Sequence, residues 1–320
     1  MSLNSEIISD VQADKALIKL SLQRVGVSNI PKIIRRKWKN SYNELSAKID
    51  VYVDLVSTQR GIHMSRNIEA INEVTAELLS EVISDTEVLC SRIAKRVIEI
   101  QDGAKFSEVR LEANYEAETF SEPLLKKKSS VHKLKAGAKA EVIDGEIRIR
   151  KIIGAEVQGT TVCPCSEELS RDFAKEQLKK KGYTDEQINE ILDIIPLAAH
   201  NQRSKATLLF ELPDDSPRIE LDDIIALMEI SMSAPIHEVL KRKDEQAVVL
   251  YAHKKPGFVE DVIRTLLHNV VFKFGYLPDE VQVYAKQINY ESIHQHDAVA
   301  EVCTTIGDLK KQLLEEKNNG

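Results

Sequence analysis

Apolar and polar residues alternate in two segments near the start of the chain, and the apolar spacing then widens to three or four residues. The alternation at Ile18-Leu20-Leu22 and from Ile49 to Leu55 predicts two strands, because successive side chains of a strand point to opposite faces. The wider spacing predicts two helices, the second with Asp85 as its N-cap. The apolar positions are Ile68, Ile71, Val74, Leu78 and Val82 in the first helix, and Leu89, Ile93, Val97 and Ile100 in the second.

Alternation returns after the second helix. It runs from Val109 to Tyr115 and appears again around Val142 and at Ile147-Ile149. The Asp144-Gly145 pair between these last two positions is typical of a tight hairpin. The first half of the chain is therefore predicted to have the order strand, strand, helix, helix, strand, strand.

The second half repeats this order with one insertion. Its predicted strands are 147–162, 205–212, 248–250, 281–283 and 298–302. Its predicted helices are 221–231, broken near Pro235 and resuming through Leu240, a long helix from Phe258 through Val270, and a charged terminal helix. The insertion, between Cys165 and His200, contains a lysine-rich helix at 172–181 and a second helix that begins with the capping box Thr184-x-x-Gln187.

The repeated order predicts an α+β protein of two tandem ββααββ modules, with antiparallel sheets and helices on one face of each sheet. The modules are expected at 1–145 and 146–320, with the helical insertion at about 167–198. Open four-stranded sheets leave edge strands that need partners. We therefore expect a homo-oligomer, a dimer or tetramer, in which sheets close into a barrel and an active site can draw residues from more than one subunit.

Charge and composition restrict the possible binding partners of the protein and its cellular compartment. The formal net charge of -7 argues against nucleic-acid binding as the main task, because a surface that follows phosphates needs a basic excess. Residues 1–10 lack the apolar stretch of a signal peptide, and no apolar run reaches the length of a membrane span. Four cysteines in 320 residues do not make a disulfide framework. These features predict a cytoplasmic protein with neither a nucleic-acid nor a membrane partner.

Two thiols stand on either side of Pro164, at the end of an extended, β-branched segment. A structural zinc site normally has two residues between its cysteines, so that both thiolates reach one ion. With one residue between them, we expect either Cys163 or Cys165 to bind a metal and the other to support the turn. The alternative is a pair of buried cysteines without a function. Cys90 and Cys303 have apolar neighbours in sequence and are expected to be buried packing residues.

A dense polar run, His200 to Ser204, leads into a predicted strand. Its inventory suits a polar, anionic ligand, because Arg203 can clamp phosphate and the amides of Asn201 and Gln202 can bind the edge of a heterocycle. The alternative is a polar cap on the strand with a structural histidine.

Two further groups of residues complete the candidate site. Glu291, His294 and His296 follow a predicted strand, and alternation would put both histidines on one face. Together with a cysteine and another histidine, they make up a ligand set that zinc or iron(II) accepts, so a metal-dependent active site is the first hypothesis. His63 and Arg66 lie at the expected start of the first helix and could cradle an anion. The alternative there is an ordinary helix start with Ser65 as N-cap.

These motifs in combination resemble those of the type IB GTP cyclohydrolases. The matching segments are His63-Met64-Ser65-Arg66, Cys163-Pro164-Cys165-Ser166, His200-Asn201-Gln202-Arg203-Ser204, Leu240-Lys241-Arg242-Lys243-Asp244-Glu245, Phe258-Val259-Glu260-Asp261 and Glu291-Ser292-Ile293-His294-Gln295-His296. The resemblance spans nearly the whole chain. It implies the tunnelling fold (T-fold), in which ββααββ modules assemble into oligomeric barrels, and GTP as the substrate.

Two departures from the bacterial pattern make the chain more similar to the archaeal MptA-type enzymes of methanopterin biosynthesis. The bacterial folate enzymes have the motifs of Cys165 and His200 close together, whereas an insertion separates them here. They also have glutamates where this chain has Pro235 and Leu250, so their metal-site and substrate-anchor assignments do not carry over. The archaeal resemblance implies Fe(II) as the cofactor, with Mn or Zn as alternatives.

The resemblance carries over Cys163, His200, Glu291 and His294 as metal-site or catalytic candidates. Under this hypothesis, GTP is opened at C8, formate is released, and the ring recloses to 7,8-dihydroneopterin 2',3'-cyclic phosphate with pyrophosphate. The metal would activate water, and His200 or His296 would protonate the purine N7. The catalytic candidates are therefore Cys163, His200 and His296. The expected substrate-binding residues are Asn201, Gln202, Arg203, Ser204, His63 and Arg66.

Three other functions stay open. A bacterial-type enzyme would retain the triphosphate and make 7,8-dihydroneopterin triphosphate for folate. A nitrile reductase of the same fold would use Cys163 or Cys165 as a nucleophile together with a nicotinamide cofactor. A non-enzymatic binding protein would use the cysteines as a structural metal clip.

Overall fold

The computed structural model describes residues 12, 14–38, 41–80 and 85–319 of the chain. The strands are β1 (Leu22–Trp38), β2 (Ser41–Leu55), β3 (Phe106–Ser121), β4 (Lys126–Ile143), β5 (Glu146–Val162), β6 (Asn201–Pro213), β7 (Ala234–Pro235), β8 (Gln282–Asn289) and β9 (Ala298–Thr305). The helices are α1 (Met64–Ser80), α2 (Thr86–Ile100), α3 (Pro164–Lys180), α4 (Asp185–Ile194), α5 (Leu221–Ser231), α6 (Arg242–His253), α7 (Val259–Phe274) and α8 (Ile306–Asn319). The predicted α+β class and the order strand, strand, helix, helix, strand, strand of the first half are confirmed.

Contacts between residues divide the chain into two compact units. The first consists of Met1–Asn114, Lys135–Ile153 and Leu212–Asp215, and the second of Tyr115–Leu134, Gly154–Glu211 and Ser216–Gly320. Each unit contains residues of both predicted modules, so the module boundary after residue 145 stays a prediction about the repeat.

The first unit has a sheet with the strand order β1-β2-β3-β4-β5. β2 pairs antiparallel with β1 and with the first part of β3. From Leu45 to Leu55, every second residue of β2 is buried, including Ile49, Val51 and Val53, while their neighbours are more exposed. This alternation buries one face of the sheet, and α1 and α2 pack against the strands and against each other. Asp144 and Gly145, both with positive φ, form the predicted hairpin turn between β4 and β5.

The predictions for the start of the chain and for the first helix need correction. The first strand begins at Leu22, where pairing with Leu55 starts, so Ile18 and Leu20 precede it and are exposed. Alternation alone therefore did not locate the strand, because a strand also needs a partner. On α1, Ile68 is 40% exposed, whereas Ile71 and Val74 are buried as predicted. Val82 and the side chain of Leu78 lie outside the described residues.

The second helix matches its prediction more closely. Leu89, Ile93 and Val97 are buried, and Ile100 is half-buried. Asp85 holds the N-cap position with an extended backbone, but its side chain makes no cap hydrogen bond.

The second unit contains the strand order β5-β6-β8-β9, with β7 paired to β5. The β6–β8 and β8–β9 pairs are antiparallel. α5 and α7 contact each other, and α7 also contacts β8 and β9. The insertion forms α3 and α4, and the predicted capping box of Thr184 and Gln187 is present at the start of α4. α3 begins at Pro164, earlier than predicted, because proline is well suited to the first helical position.

Two predicted elements of the second half are wrong. Between α5 and α6 the chain does not resume a helix through Leu240, and Pro235 pairs with Gly159 as part of β7. Proline has no backbone N–H to continue a helix, which explains the break. Val248 to Leu250 lie in α6 rather than in a strand. A short apolar run is compatible with either element.

A network of buried polar side chains fixes α5 to the hairpin of β3 and β4 within the second unit. The Glu229 carboxylate accepts hydrogen bonds from Lys128 Nζ at 2.5 Å and from Thr119 Oγ1 at 2.8 Å. His132 Nε2 lies 3.6 Å from the same carboxylate and 2.7 Å from Ser130 Oγ. Lys128 and Glu229 form a buried ion pair whose side chains are 7% and 4% exposed.

None of the helices in the described ranges combines the length and the apolar character needed to cross a bilayer.

Candidate active site

A cavity of about 270 Å³ in the second unit brings together four of the segments that the sequence singled out. Its lining residues are Cys163, His200, Gln202, Gly257, Phe258, Val259, Glu260, Asn289, Glu291, His294, His296 and Ala298. The thiol, imidazole and carboxylate groups expected to form one site therefore do share a cavity, although long segments separate them in sequence.

Backbone hydrogen bonds hold Cys163 beside His200. Cys163 is the N-cap residue of α3, directly after β5, and its N–H donates to the carbonyl oxygen of His200 at 3.0 Å. Ser166 links the same two residues, because its Oγ accepts from the His200 N–H at 3.2 Å and donates to the Cys163 carbonyl at 3.2 Å. The insertion therefore starts after Cys163 and ends before His200, and these two residues remain next to each other in space.

The other cysteines differ in their surroundings. Cys165 lies in the first turn of α3 and is exposed, so the alternative of two buried cysteines is wrong. Cys90 is buried as predicted, and burial raises the pKa of its thiol. The expectation that Cys303 is buried is wrong. Cys303 lies on β9, which is the last strand in the strand order of the second unit, and no residue of β9 is fully buried.

A chain of hydrogen bonds connects His200 to Glu291 through Gln202. His200 Nδ1 lies 3.0 Å from Gln202 Oε1. Gln202 Nε2 donates to Thr161 Oγ1 at 3.2 Å and to Glu291 Oε1 at 3.4 Å. The His200 and Glu291 side chains are 12% and 11% exposed, and Gln202 is buried. His200 and Glu291 are therefore held in fixed positions within the second unit.

His294 and His296 are arranged differently from the prediction. β8 ends at Asn289, so both histidines lie in the loop before β9 rather than on a strand. Their rings stack with centroids 5.1 Å apart, and the His294 ring meets the His200 ring edge-on at 6.4 Å. Both side chains are exposed. The loop, not strand alternation, brings the two imidazoles together at the cavity.

The donor set fits a divalent metal in its chemistry. Sulfur, imidazole nitrogen and carboxylate oxygen are ligands that zinc and iron(II) accept, and Cys163, His200, His294 and Glu291 supply them around one cavity. Within the described ranges, no three His, Cys, Asp or Glu side chains are already arranged to hold one ion. A metal would therefore have to draw its ligands closer together.

The polar run after His200 is divided by the strand that contains it. β6 begins at Asn201, so Gln202 and Ser204 point to the buried face while Asn201 and Arg203 are exposed. Ser204 Oγ lies 3.3 Å from Met232 Sδ rather than at the cavity. Of these four described residues, Gln202 is the one that lines the cavity. Binding of a single ligand by the whole run stays a prediction.

His63 and Arg66 belong to the first unit. α1 begins at Met64, so Ser65 lies inside the helix and the alternative that makes it the N-cap is wrong. The His63 carbonyl accepts from the Arg66 N–H at 3.1 Å, and Arg66 Nη1 donates to Asp102 at 2.7 Å. The Arg66 guanidinium lowers the pKa of Asp102 through this hydrogen bond. Phosphate binding by this pair stays a prediction.

Sequence reasoning did not assign roles to several residues that line the cavity. Phe258, Val259 and Glu260 lie at the start of α7, and Asn289 ends β8. The Gly257 N–H donates to the Val162 carbonyl at 3.0 Å, which fixes the start of α7 next to Cys163. The segment from Phe258 to Asp261 was one of the family-like motifs. That motif was the feature of the sequence that could have predicted this side of the cavity.

Comparisons with known proteins agree with the motifs. Residues 8–300 match the family model described as Type I GTP cyclohydrolase folE2. The chain is 43% identical over 306 residues to GTP cyclohydrolase MptA of Methanocaldococcus jannaschii, a match covering 95% of this chain and 97% of that protein. It is 41% identical over 308 residues to GTP cyclohydrolase MptA of Methanobrevibacter smithii, covering 96% and 98%.

Solved structures of low sequence identity are also similar. A uricase from Bacillus fastidious has a TM-score of 0.45 at 8% identity, over 91% of this chain and 95% of that one. A urate oxidase from Bacillus subtilis 168 has a TM-score of 0.42 at 11% identity, over 89% and 98%.

The family assignment rests on the sequence matches, which extend over nearly the full length of this chain and of its relatives. We conclude that the chain belongs to the Type I GTP cyclohydrolase folE2 family.

Proposed function

We propose that this chain is a GTP cyclohydrolase of the MptA type. It opens the imidazole ring of GTP at C8 with water, releases C8 as formate, and recloses the ring to 7,8-dihydroneopterin 2',3'-cyclic phosphate with loss of pyrophosphate. The observation that carries the proposal is the cavity in which Cys163, His200 and Glu291 meet, in a chain with this family membership.

Cys163, His200, Glu291 and His294 would hold the metal, for which we propose Fe(II), with Mn or Zn as alternatives. When bound, such an ion is a Lewis acid that lowers the pKa of water enough for attack on a carbon at neutral pH. The remaining chemistry belongs to the side chains of the cavity.

His296 is our candidate for the proton transfer to N7. It lines the cavity beside His294 but makes no hydrogen bond among the described residues that would fix either nitrogen. His200 already has Nδ1 engaged by Gln202, which leaves its other nitrogen for one partner only. General acid–base catalysis needs a group that can exchange its proton, and the exposed ring of His296 meets that need better.

The phosphates need cationic partners, which the cavity lining itself does not contain among its described residues. We propose Arg203, with His63 and Arg66, for this role. Arg203 is exposed on β6, whereas Arg66 would have to release Asp102 first. Guanidinium groups suit this role because they bind phosphate oxygens in a bidentate manner.

We further propose a cytoplasmic homo-oligomer, a dimer or tetramer, with the barrel of the tunnelling fold. Two observations support this proposal. β1 and β9 end the strand orders of their units within the described residues, and unpaired strand edges favour association. All four cysteines are free, as is usual in a reducing compartment.

The test is a metal reconstitution under anaerobic conditions. Metal-stripped protein is incubated with GTP and with added Fe(II), Mn or Zn, and pterin fluorescence is read after oxidation alongside formate. We expect turnover that depends on the added metal. Absence of formate with every metal would overturn the proposal. Phosphate analysis of the product separates the cyclic phosphate from the triphosphate of the bacterial alternative.

A further inference from the structure

We infer that Gln202 is a positioning residue that fixes the tautomer of His200, so that Nδ1 carries the proton and Nε2 presents its lone pair. The inference deepens the proposed function, on which it rests in treating His200 as a working group of the site. It assigns Gln202 a role other than contact with the substrate.

The orientation of the Gln202 amide follows from its partners. One end of the amide lies 3.4 Å from Glu291 Oε1 and 3.2 Å from Thr161 Oγ1. Both oxygens accept from the amide, so the group that faces them is the NH2. The flipped amide would place its oxygen against the carboxylate oxygen, with two acceptors in contact. Glu291 therefore determines which end of the amide points to His200.

The amide oxygen then determines the tautomer of His200. Gln202 Oε1 lies 3.0 Å from His200 Nδ1, and an amide oxygen can only accept a hydrogen bond. Nδ1 must therefore carry a hydrogen. In the neutral imidazole the other nitrogen, Nε2, then has the free electron pair. This is the nitrogen that can bind a metal ion or accept a proton.

Burial and backbone geometry keep this arrangement in place. Gln202 is 6% exposed, so water has little access to replace either of its partners. Residues two apart on an extended backbone point to the same side, which places Gln202 beside His200 at the start of β6. Thr161 on β5 holds the amide from the neighbouring strand. Two elements and one carboxylate thus converge on a single amide.

The experiment reads the tautomer directly in metal-free protein. Long-range proton–nitrogen correlation spectra of protein labelled with nitrogen-15 at histidine distinguish Nδ1–H from Nε2–H, and a His200→Gln variant identifies the signals of His200. At a pH where the ring is neutral, we expect the Nδ1–H form in the wild type. Gln202→Leu should shift His200 toward Nε2–H, the form that prevails in free imidazole side chains, because the remaining acceptor, Glu291 Oε2, lies 3.7 Å from Nδ1, beyond hydrogen-bond distance.

Gln287 provides a matched control. It is a second buried glutamine of the same unit, on β8, and its amide Nε2 donates to Asn289 Oδ1 at 3.1 Å, whereas the Gln202 amide oxygen accepts from a histidine. Gln287→Leu should leave the tautomer of His200 unchanged. Metal affinity, measured by competition with a chelating dye, should fall about 10- to 100-fold in Gln202→Leu, the usual loss when a group that orients a metal-binding histidine is removed.

The outcomes separate this inference from the proposed function. An Nε2–H signal for His200 in the wild type, or an unchanged Nδ1–H signal in a folded Gln202→Leu variant, overturns the role of Gln202. If Gln202→Leu does not fold, the tautomer of His200 in the wild type decides by itself. Failure of GTP turnover with the expected tautomer present rejects the proposed function and leaves the role of Gln202 intact.

Discussion

The thiols of Cys163 and Cys165 are one residue apart in sequence and occupy different environments. Cys163 lines the cavity as the N-cap of α3, whereas Cys165 is exposed in the first helical turn. The helix begins at Pro164, so Cys163 precedes it and Cys165 lies inside its first turn. At the residue scale, the sequence predicted that the two cysteines have different roles. The spacing alone did not determine which is which, because that depends on where the helix begins, and only the family resemblance pointed to Cys163.

Serine substitutions of the two cysteines should therefore have unequal effects. Cys163→Ser removes a soft ligand from the cavity, and we expect kcat/KM for GTP to fall by about 100-fold or more, or roughly 2.7 kcal/mol of transition-state stabilisation. Cys165→Ser should change it by less than about 2-fold. The measurement is steady-state kinetics with Fe(II), with melting temperatures as a check on folding. Equal losses in both variants would contradict the placement of the thiols.

The elements that carry the site were predictable to different degrees. The strands and helices with regular apolar spacing, such as β2, α2 and α7, match their predictions because the spacing reflects one buried face. α6 does not match its prediction, because only Ala252 of this helix is buried and the helix has no periodic apolar face. The loop of His294 and His296 could not be predicted either, because loop geometry is set by the elements at its ends and not by local alternation.

The buried ion pair of Lys128 and Glu229 should contribute strongly to the stability of the second unit. Glu229→Gln leaves the Lys128 ammonium buried without a counter-charge, and breaking such a pair costs about 3 to 5 kcal/mol. Urea denaturation of the metal-free protein measures the loss. The control is Glu176→Gln, which breaks the exposed pair with Lys180 and should cost less than about 1 kcal/mol. Similar losses in the two variants would be inconsistent with the burial described.

Stability should also depend on pH through two histidines near this pair, the buried His132 and the half-buried His237. Burial lowers the pKa of His132 and of His237 below the ordinary value of 6.5. As pH falls below 6.5, the unfolded chain takes up protons that the folded chain does not, so the free energy of unfolding decreases. The slope is at most about 1.4 kcal/mol per pH unit for each histidine. It should disappear below the lowered pKa values of the folded protein.

Urea denaturation at pH 7.5 and at pH 5.5 tests this dependence. His132→Gln removes one titrating group and can keep a hydrogen bond to Ser130, so its stability should change less between the two pH values than that of the wild type. A wild-type protein that is more stable at pH 5.5 than at pH 7.5 would show that the predicted direction of the pH dependence is wrong.

At the scale of the whole molecule, association follows from the strand edges. β1 and β9 end the strand orders of their units within the described residues, and edges of this kind are usually covered in native proteins. We expect light scattering to give a mass of two or four times the 36.1 kDa of the chain. A mass of 36.1 kDa at micromolar concentration would rule out the proposed oligomer.

The family-like motifs supplied the largest part of the functional prediction, and the structure added the contacts between them. Neither the Gln202 link nor the wall formed by α7 could be obtained from spacing along the chain, because both depend on pairing between distant strands and helices. The division of the polar run by β6 likewise became visible only with the strand boundaries.

The most direct test of the central claim follows the carbon that the reaction must remove. The protein is loaded with Fe(II) under anaerobic conditions and given GTP labelled with carbon-13 at C8, and the products are read by NMR. We predict labelled formate in equal amount to an unlabelled pterin, with both products strongly reduced in Cys163→Ser. Label that stays in the purine, or a pterin formed without labelled formate, would contradict the account.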